Sequence, residues 1–292
     1  METSPNLSAA LSCELVATQQ RLDRWMLKAP CSHPSVPCIP DPTFKLLPRS
    51  CIPKVLAVFL ARLDTNVRAI ITLCEGDLAV AAQPVLRAVV ESAIDLRYIS
   101  TNPQTLCSKW CLFEEARRYE FWSQHPEDER PSDYGLCQRE TDKRLLQLDR
   151  HSPHRNGKRW KLSELTRDWD MSNLAHREKV GREAFGAESA FYGIYKLLSG
   201  SLHGGTDSVG DFVVVDQNGD FQVVRGFPGR KVIFVAWATL HAVATTLKAA
   251  QRCGAEVDEQ VFPQWELIGM PMEQLNDEAA ADFKYPALGD SI

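Results

Sequence analysis

The sequence lacks the features of a secretory signal or a membrane span. Its first residues, METSPNLSAALSCELVATQQ, contain neither a basic n-region nor an unbroken apolar h-region. The longest uncharged apolar stretch, residues 232–247, is 16 residues long and contains His241, whereas a span needs about 18–20 residues. We therefore expect a cytoplasmic protein with no membrane partner, in which residues 232–247 form a buried core helix.

The chain also lacks a strong excess of one charge sign. Over 292 residues its net charge is −5, which excludes a polycation that binds nucleic acid with its whole surface. The charge is nevertheless unevenly distributed. Residues 254–292 hold nine Asp/Glu and one Lys, which leaves 32 basic (33 less one) and 29 acidic (38 less nine) side chains in the preceding residues. We expect an acidic C-terminal tail on a slightly basic body.

Paired CxxC motifs are missing, although the chain has nine cysteines. An odd, scattered set without a secretory signal is typical of reduced thiols rather than of a disulfide framework. Zinc fingers and ribbons use two CxxC-type pairs. Neither Cys107-x3-Cys111 nor Cys31-x-His33-x4-Cys38 provides such a pair. We therefore predict nine free cysteines, no metal site and no cofactor.

Apolar residues with a helical period dominate what is present. Between residues 52 and 74 they fall at 52, 55, 56, 59, 63, 67, 70, 71 and 74, which predicts an amphipathic helix. The same argument, with Gly and Pro as breakers, predicts further helices at 7–28, 78–100, 103–125, 132–150, 162–169, 183–203 and 230–253. Seven prolines in residues 29–53 exclude a regular element between the first two helices.

The period changes to two in DFVVVD (211–216) and DFQVVR (220–225), on either side of Gln217-Asn218-Gly219. Asn-Gly between two such runs is typical of a β-hairpin turn. The predicted fold is thus mainly α, a multi-helix bundle with one inserted β-hairpin at 211–225. We divide the chain into an N-terminal helix with its Pro/Cys-rich connection (1–51), a helical core domain (52–253) and the acidic tail (254–292).

A polar stripe runs along the otherwise apolar segment PVLRAVVESAIDLRY. Arg87, Glu91 and Asp95 occur at i, i+4 and i+8 and so share one helix face, while Ala88, Val89, Val90, Ala93, Ile94 and Leu96 cover most of the rest. A stripe so flanked is expected between helices, where charges must be paired. The residues predict an Arg87–Glu91 ion pair with His203 as third partner. A structural network and a functional polar cluster both remain open.

The segment YKLLSGSLHGG, residues 195–205, ends a helix with two serines, a histidine and two glycines. Ser199 and His203 lie one turn apart, close to Tyr195. A nucleophile and base on one helix, without a third orienting group, would make a poor hydrolase site. The pattern favours His203 as the partner of Glu91, or as a group that binds the last carbonyls of the helix.

A basic segment, RHSPHRNGKRWK (150–161), contains no acid. Its cations are Arg150, Arg155, Lys158, Arg159 and Lys161, and Trp160 lies among them. Basic side chains beside an aromatic ring suit phosphate contact with base stacking, so RNA or DNA is one expected partner. A solvated surface loop that holds the acidic tail is the alternative.

Three motifs in this order carry a resemblance: VLRAVVESAIDLRYI (85–99), KRWKLSELTRDW (158–169) and YKLLSGSLHGG (195–205). The chain resembles a bacterial family of unknown function, number 5677 among such domain families, whose helical core is akin to HEPN domains. The family pattern of Arg-x3-Glu, a Trp-led helix and Tyr-x3-Ser-x3-His falls here on Arg87, Glu91, Trp160, Tyr195, Ser199 and His203. HEPN domains often dimerise, and many are ribonucleases of toxin–antitoxin and antiphage systems with an Arg-x4–6-His motif. No Arg occupies that window before His203.

The resemblance implies a HEPN-like protein of bacterial defence or stress response that acts by binding nucleic acid or protein, with a second copy of itself and a protein encoded nearby as further partners. Whether it is an enzyme stays open. The first alternative is a metal-independent ribonuclease, a toxin or phage-defence effector, with Arg87, Glu91 and His203 as catalytic residues. In either case Tyr195, Ser199 and the basic segment are the binding residues. The second alternative is a module that only binds protein.

Overall fold

The computed structural model describes residues 7–28, 51–76, 78–132, 134–151, 173–185, 191–202, 213–215, 221–223 and 228–264. These residues form eight α-helices and two short strands. The helices are α1 (Leu7–Lys28), α2 (Cys51–Glu75), α3 (Ala79–Ile99), α4 (Pro103–Ser123), α5 (Tyr134–His151), α6 (Leu174–Phe185), α7 (Phe191–Leu202) and α8 (Pro228–Arg252). The protein is mainly helical, as the period of its apolar residues predicts.

Helix α3 is the centre of the bundle. It packs against α2, α6, α7 and α8, and α8 in turn packs against α1 and α2. Along α3 the side chains that face these helices are fully buried, at Leu86, Val89, Val90, Ala93 and Ile94. Each buried Leu, Ile or Val stabilises the fold by roughly 1.5–3 kcal/mol relative to an exposed one. The polar side chains of α3 are therefore positioned by a helix that cannot shift without loss of core contacts.

Helix α8 forms the other wall of this core. Val235, Leu240 and Val243 are fully buried, as expected of a core helix over residues 232–247. By length and composition Val232–Arg252 could cross a membrane, but 72% of its apolar window is buried inside the protein. Core helices of soluble proteins have the same character, so the segment is weak evidence for a membrane span.

Local sequence accounts for several helix ends. Asn102 precedes α4, and its side-chain oxygen accepts a hydrogen bond from the Thr105 backbone N–H at 3.4 Å. Helix α8 begins at Pro228, a residue suited to the first helical position. It ends before Gly254, whose φ of +94° is the left-handed conformation that glycine adopts without steric cost.

Two predictions about helices need correction. The helix predicted from residue 183 is wrong at its start, because Glu183 lies in α6 and the helix that carries Tyr195 begins at Phe191. A separate helix at Leu174–Phe185 was not predicted. Gly186, which follows α6 in the sequence, is the kind of residue that ends helices. The helix predicted at 162–169 lies outside the described residues.

Strands β1 (Val213–Val215) and β2 (Phe221–Val223) pair antiparallel, with Val213 opposite Val223. They fall within the range predicted for the hairpin. The Gln217-Asn218-Gly219 turn lies outside the described residues, so the complete inserted hairpin stays a prediction.

Helix α1 shares the hydrophobic core with the other helices through Leu11, Leu15 and Leu22. It also contacts the chain beyond α8, because the Trp25 indole N–H donates to the Glu256 carbonyl at 3.0 Å. Phe262, within the tail segment, is buried. Residues 265–292 lie outside the described part of the chain.

Candidate functional site

The predicted stripe on α3 is largely enclosed by neighbouring helices. Arg87, Glu91 and Asp95 are each partly buried, because α6 and α7 pack against the α3 surface. Of the residues predicted to flank the stripe, only Ala88 is exposed. The stripe is therefore not an ordinary solvated helix face.

Arg87 contacts α7 rather than Glu91. Its Nη2 donates a hydrogen bond to the Tyr195 hydroxyl at 2.9 Å, and its guanidinium carbon lies 4.8 Å from the centre of the Tyr195 ring. Among the described residues no ion pair joins Arg87 to Glu91, so that predicted pair is wrong. Tyr195 replaces the carboxylate because it offers both a hydrogen-bond acceptor and a π face to the planar guanidinium.

The contact between Arg87 and Tyr195 is the first of three successive contacts among two cations and two tyrosine rings along α7. The Tyr195 and Tyr192 rings are stacked, with centroids 6.1 Å apart and planes 14° from parallel. Lys196 Nζ lies 5.0 Å from the centre of the Tyr192 ring. We call these four residues, Arg87, Tyr195, Tyr192 and Lys196, the cation–tyrosine stack. Lys196 is exposed and the other three are partly buried, so the stack reaches the surface.

Ser199 supports the same helix turn. Its hydroxyl donates to the Tyr195 carbonyl at 2.8 Å, a bond from residue i to i−4 that Ser commonly makes inside helices. The hydroxyl proton is thus directed at the backbone and not at a base. His203, predicted as the partner of Glu91 and as a catalytic residue, lies outside the described residues, and its pairing with Glu91 stays a prediction.

Deeper in the same helix interface, two charged residues of α3 meet two of α6. Asp95 Oδ1 lies 2.7 Å from Arg177 Nε, and Arg97 Nη2 forms an ion pair with Glu178 Oε2. All four side chains are at most 13% exposed. The quartet contains two cations and two anions, which offsets the cost of removing each charge from water.

Glu178 also fixes the start of α7. Its second oxygen, Oε1, accepts a hydrogen bond from the Phe191 backbone N–H at 2.9 Å. A carboxylate at this place satisfies a free N–H and interacts favourably with the positive end of the helix. The guanidinium of Arg97 lies 5.2 Å from the Phe191 ring centre. One buried glutamate therefore links α3, α6 and the helix that carries the stack.

The close approach of α6 to α3 depends on Gly181. A Cβ at this position would lie 3.2 Å from Arg97 Cγ and 3.3 Å from the Tyr98 backbone nitrogen. Both distances are tighter than ordinary contacts. Glycine lets the two helix backbones approach closely enough for the quartet to form.

Sequence reasoning did not identify five residues as site residues: Arg97, Arg177, Glu178, Tyr192 and Lys196. Arg97 was the one with a detectable signal, since it follows Asp95 by two residues in a segment otherwise apolar. The partners on α6, Arg177 and Glu178, could not be found, because that helix itself was not predicted.

These two groups differ in what they can do chemically. The quartet is buried and internally neutralised, which suits it to holding helices together. The cation–tyrosine stack reaches solvent with a positive charge and with aromatic faces, the features that bind phosphates and stacked bases. We therefore take the stack as the candidate functional site.

Comparison with known families agrees with the motifs. The family of unknown function DUF5677 matches residues 54–221, more than half of the chain. The chain belongs to this family. The matched range contains α3–α7, α2 apart from its first three residues, and every residue of the stack, whereas α1 and α8 lie outside it. No curated protein and no solved structure matches the chain.

The predicted basic segment is mostly outside the described residues. The backbone of Arg150 lies in α5, but its side chain, like Arg155, Lys158, Arg159 and Lys161, is outside the description.

None of the six cysteines that the structure describes forms a disulfide. Cys107 and Cys253 are buried, and burial raises the pKa of each thiol to about 12. Within the described ranges no group of three or more His, Cys, Asp or Glu residues could hold a metal ion. Cys31, His33 and Cys38 lie outside these ranges, so the expected lack of zinc remains a prediction.

Proposed function

We propose that this member of the DUF5677 family has a HEPN-like core and binds single-stranded RNA in the bacterial cytoplasm, as part of a defence or stress response. The observation that carries the RNA-binding part is the cation–tyrosine stack. The HEPN likeness and the defence role rest on the resemblance of the sequence motifs.

The stack supports RNA rather than a small anion. Two nearly parallel tyrosine rings, with centroids 6.1 Å apart, offer an aromatic edge and face near the surface, and Lys196 adds an exposed charge at one end. Bases stack on tyrosine with about 1–3 kcal/mol each, and this stacking tolerates any sequence. Phosphates are attracted by the cations. The basic segment supplies five further cations for phosphate contact.

The binding mode favours single strands. Bases must be unstacked before they can lie on protein rings, which loops and single strands permit and duplexes resist. We expect the 2′-hydroxyl to contribute little, because the described stack offers ring faces and cations. A single-stranded DNA of the same sequence should therefore bind with an affinity close to that of the RNA.

The test is fluorescence anisotropy with a labelled single-stranded RNA, a matching duplex and a single-stranded DNA over a series of salt concentrations. Tyr192→Leu should weaken binding of the single strand by roughly five-fold to a hundred-fold, because one stacking face is lost. Tyr192→Phe keeps the ring and is the matched control. Lys196→Gln should reduce the salt slope by about 0.7 if Lys196 contacts one phosphate.

Two results would contradict RNA binding by the stack. If the parent protein does not bind the single strand at low salt, or if Tyr192→Leu binds as tightly as Tyr192→Phe, the stack is structural only. Replacing Arg155, Lys158, Arg159 and Lys161 with Ala tests the basic segment separately. Cleavage of the RNA during the assay, lost in His203→Ala, would favour the alternative ribonuclease.

The defence role needs a cellular test. Expression of the parent chain in a sensitive host should reduce phage plating, and Tyr192→Leu should abolish this protection while leaving the melting temperature nearly unchanged. Equal protection by the parent chain and by Tyr192→Leu would show that defence does not require the stack. A restriction or toxin gene beside this gene would support the same role independently.

One other surface supports the alternative of a protein-interaction module. At the end of α4 the Phe121 side chain is 55% exposed, and its ring lies 5.0 Å from that of Trp122 and 4.5 Å from that of His125. Exposed aromatic clusters are typical of protein interfaces. A second copy of the chain is the partner we propose here. Sedimentation equilibrium on Phe121→Ser should show a weaker dimer than the parent protein.

A further inference from the structure

A cavity of about 550 Å³ opens where α1, α2 and α8 meet. Its volume lies within the range of small-molecule sites, about 300–1,000 Å³. Most of the side chains that line it are apolar or thiol-bearing, namely Cys13, Leu15, Val16, Ala17, Ile71, Cys74, Val232 and Ala236. The cavity is distinct from the cation–tyrosine stack, none of whose members lines it.

Polar groups are few in this cavity. Ser12, Gln20 and Glu75 are the polar residues among its described lining. Glu75 is exposed, which leaves its carboxylate hydrated at the mouth. A mostly apolar lining with a small number of polar groups is the usual pattern of a site that takes an amphipathic small molecule.

The electrostatic sign of the mouth follows from the end of α2. Glu75 is the last residue of that helix, and the last turn contains no basic residue. Both the carboxylate and the negative end of the helix dipole therefore act in the same direction. Burial and, second, the neighbouring Glu75 raise the pKa of Cys74 to about 11. The Cys74 thiol is thus neutral at physiological pH, and Glu75 is the one formal charge on the described lining.

From this geometry we propose that the cavity binds a small organic cation with an apolar body. The body lies against Val16, Ile71 and Val232, which are partly exposed in the lining, and the ammonium group lies at Glu75. Since α1 and α8 lie outside the residues that match the family, this site joins the shared core to two helices outside the match. The proposal does not depend on RNA binding.

A matched series of naphthalene probes tests it. We expect 1-naphthylmethylamine to bind saturably, to raise the melting temperature and to change its own fluorescence. 1-Naphthylmethanol, with the same body and no charge, should bind about two- to five-fold more weakly, as expected for loss of one solvent-exposed ion pair. 1-Naphthoate should bind more weakly still, because its carboxylate would face Glu75.

Two variants and one chemical label locate the site at which the probes bind. Glu75→Gln should bring the amine to the affinity of the alcohol, whereas the matched control Glu129→Gln, exposed and outside the lining, should not. Ala17→Phe should fill the cavity and abolish binding of all three probes. Cys13, an exposed thiol of the lining, should react with N-ethylmaleimide more slowly when the amine is bound, as mapped by peptide mass spectrometry.

The proposal is overturned if no probe binds saturably, if naphthoate binds as tightly as the amine, or if Ala17→Phe retains binding. An unchanged rate of Cys13 labelling in the presence of saturating amine would also contradict it, because the probe would then lie elsewhere. RNA binding measured in parallel on Glu75→Gln should be unchanged.

Discussion

Replacement of Glu178 by Gln is the sharpest test of how the site is held. The substitution keeps the shape of the side chain and an oxygen for the Phe191 N–H, but it removes the negative charge opposite Arg97. The Arg97 side chain is 1% exposed, so the guanidinium would be left buried without its ion-pair partner. Breaking such a pair costs about 3–5 kcal/mol.

That cost converts into a large thermal effect. At roughly 2–4 °C per kcal/mol for a domain of this size, the melting temperature should fall by about 6–20 °C. Urea unfolding followed by circular dichroism gives the free energy directly. Glu183→Gln, an exposed residue of the same helix, is the matched control and should change stability by less than about 0.5 kcal/mol.

A double substitution tests whether the loss of stability comes from the unpaired charge of Arg97. Arg97→Met combined with Glu178→Gln removes both charges, keeps an oxygen for the Phe191 N–H and should cost less than Glu178→Gln alone, since no charge is left unpaired. The coupling between the two positions should exceed about 0.5 kcal/mol. A loss below about 1 kcal/mol for Glu178→Gln, or additive effects in the cycle, would show that water reaches the Arg97–Glu178 pair and that the two charges are not coupled as a buried pair.

Three further predictions concern packing, capping and thiols. Gly181→Ala should destabilise the fold by about 1–3 kcal/mol, because the new Cβ meets the α3 backbone. The control Gly193→Ala has nothing within 4 Å of its new Cβ and should stabilise the fold by up to about 1 kcal/mol through helix propensity. Equal effects of the two substitutions in thermal denaturation would refute the close approach of α6 to α3. Asn102→Ala should cost about 1 kcal/mol through loss of the α4 cap, and Asn102→Asp should restore most of it in the same assay. Burial raises the pKa of Cys107 from 9.0 to about 12, so unfolding releases a proton within that window and stability falls as pH rises through it, by up to about 1.4 kcal/mol per pH unit. Cys107→Ala should therefore show a shallower decline in urea titrations above pH 9, and parallel declines would contradict the burial argument.

Helix positions followed from the sequence where the signals are local. The prediction of 7–28 agrees with Leu7–Lys28 because the apolar spacing runs through the whole helix. Asn102-Pro103 located the start of α4 because capping involves neighbours in sequence. The division between α6 and α7 was missed, since Leu174–Phe185 is polar on average and its buried residues, Arg177 and Glu178, look like surface residues.

The site was predictable only in part for the same reason. The spacing of Arg87, Glu91 and Asp95 correctly placed a polar stripe on a buried helix. It could not supply the partners, because Arg87 and Tyr195 are 108 residues apart and meet only through the packing of α7 on α3. An i, i+4 pair such as Arg87 and Glu91 contributes only about 0.2–0.5 kcal/mol, so tertiary packing can override it.

The most direct measurement of the central claim is photocrosslinking of the protein to a single-stranded RNA that carries 5-iodouridine, with the crosslinked peptides identified by mass spectrometry. This nucleobase reacts with aromatic side chains on which it stacks. The account predicts a crosslink at Tyr192 or Tyr195, absent from Tyr192→Leu when Tyr192 is the attachment site and reduced by high salt. Crosslinks found only on residues outside the cation–tyrosine stack, or no crosslink at saturating RNA, would contradict it.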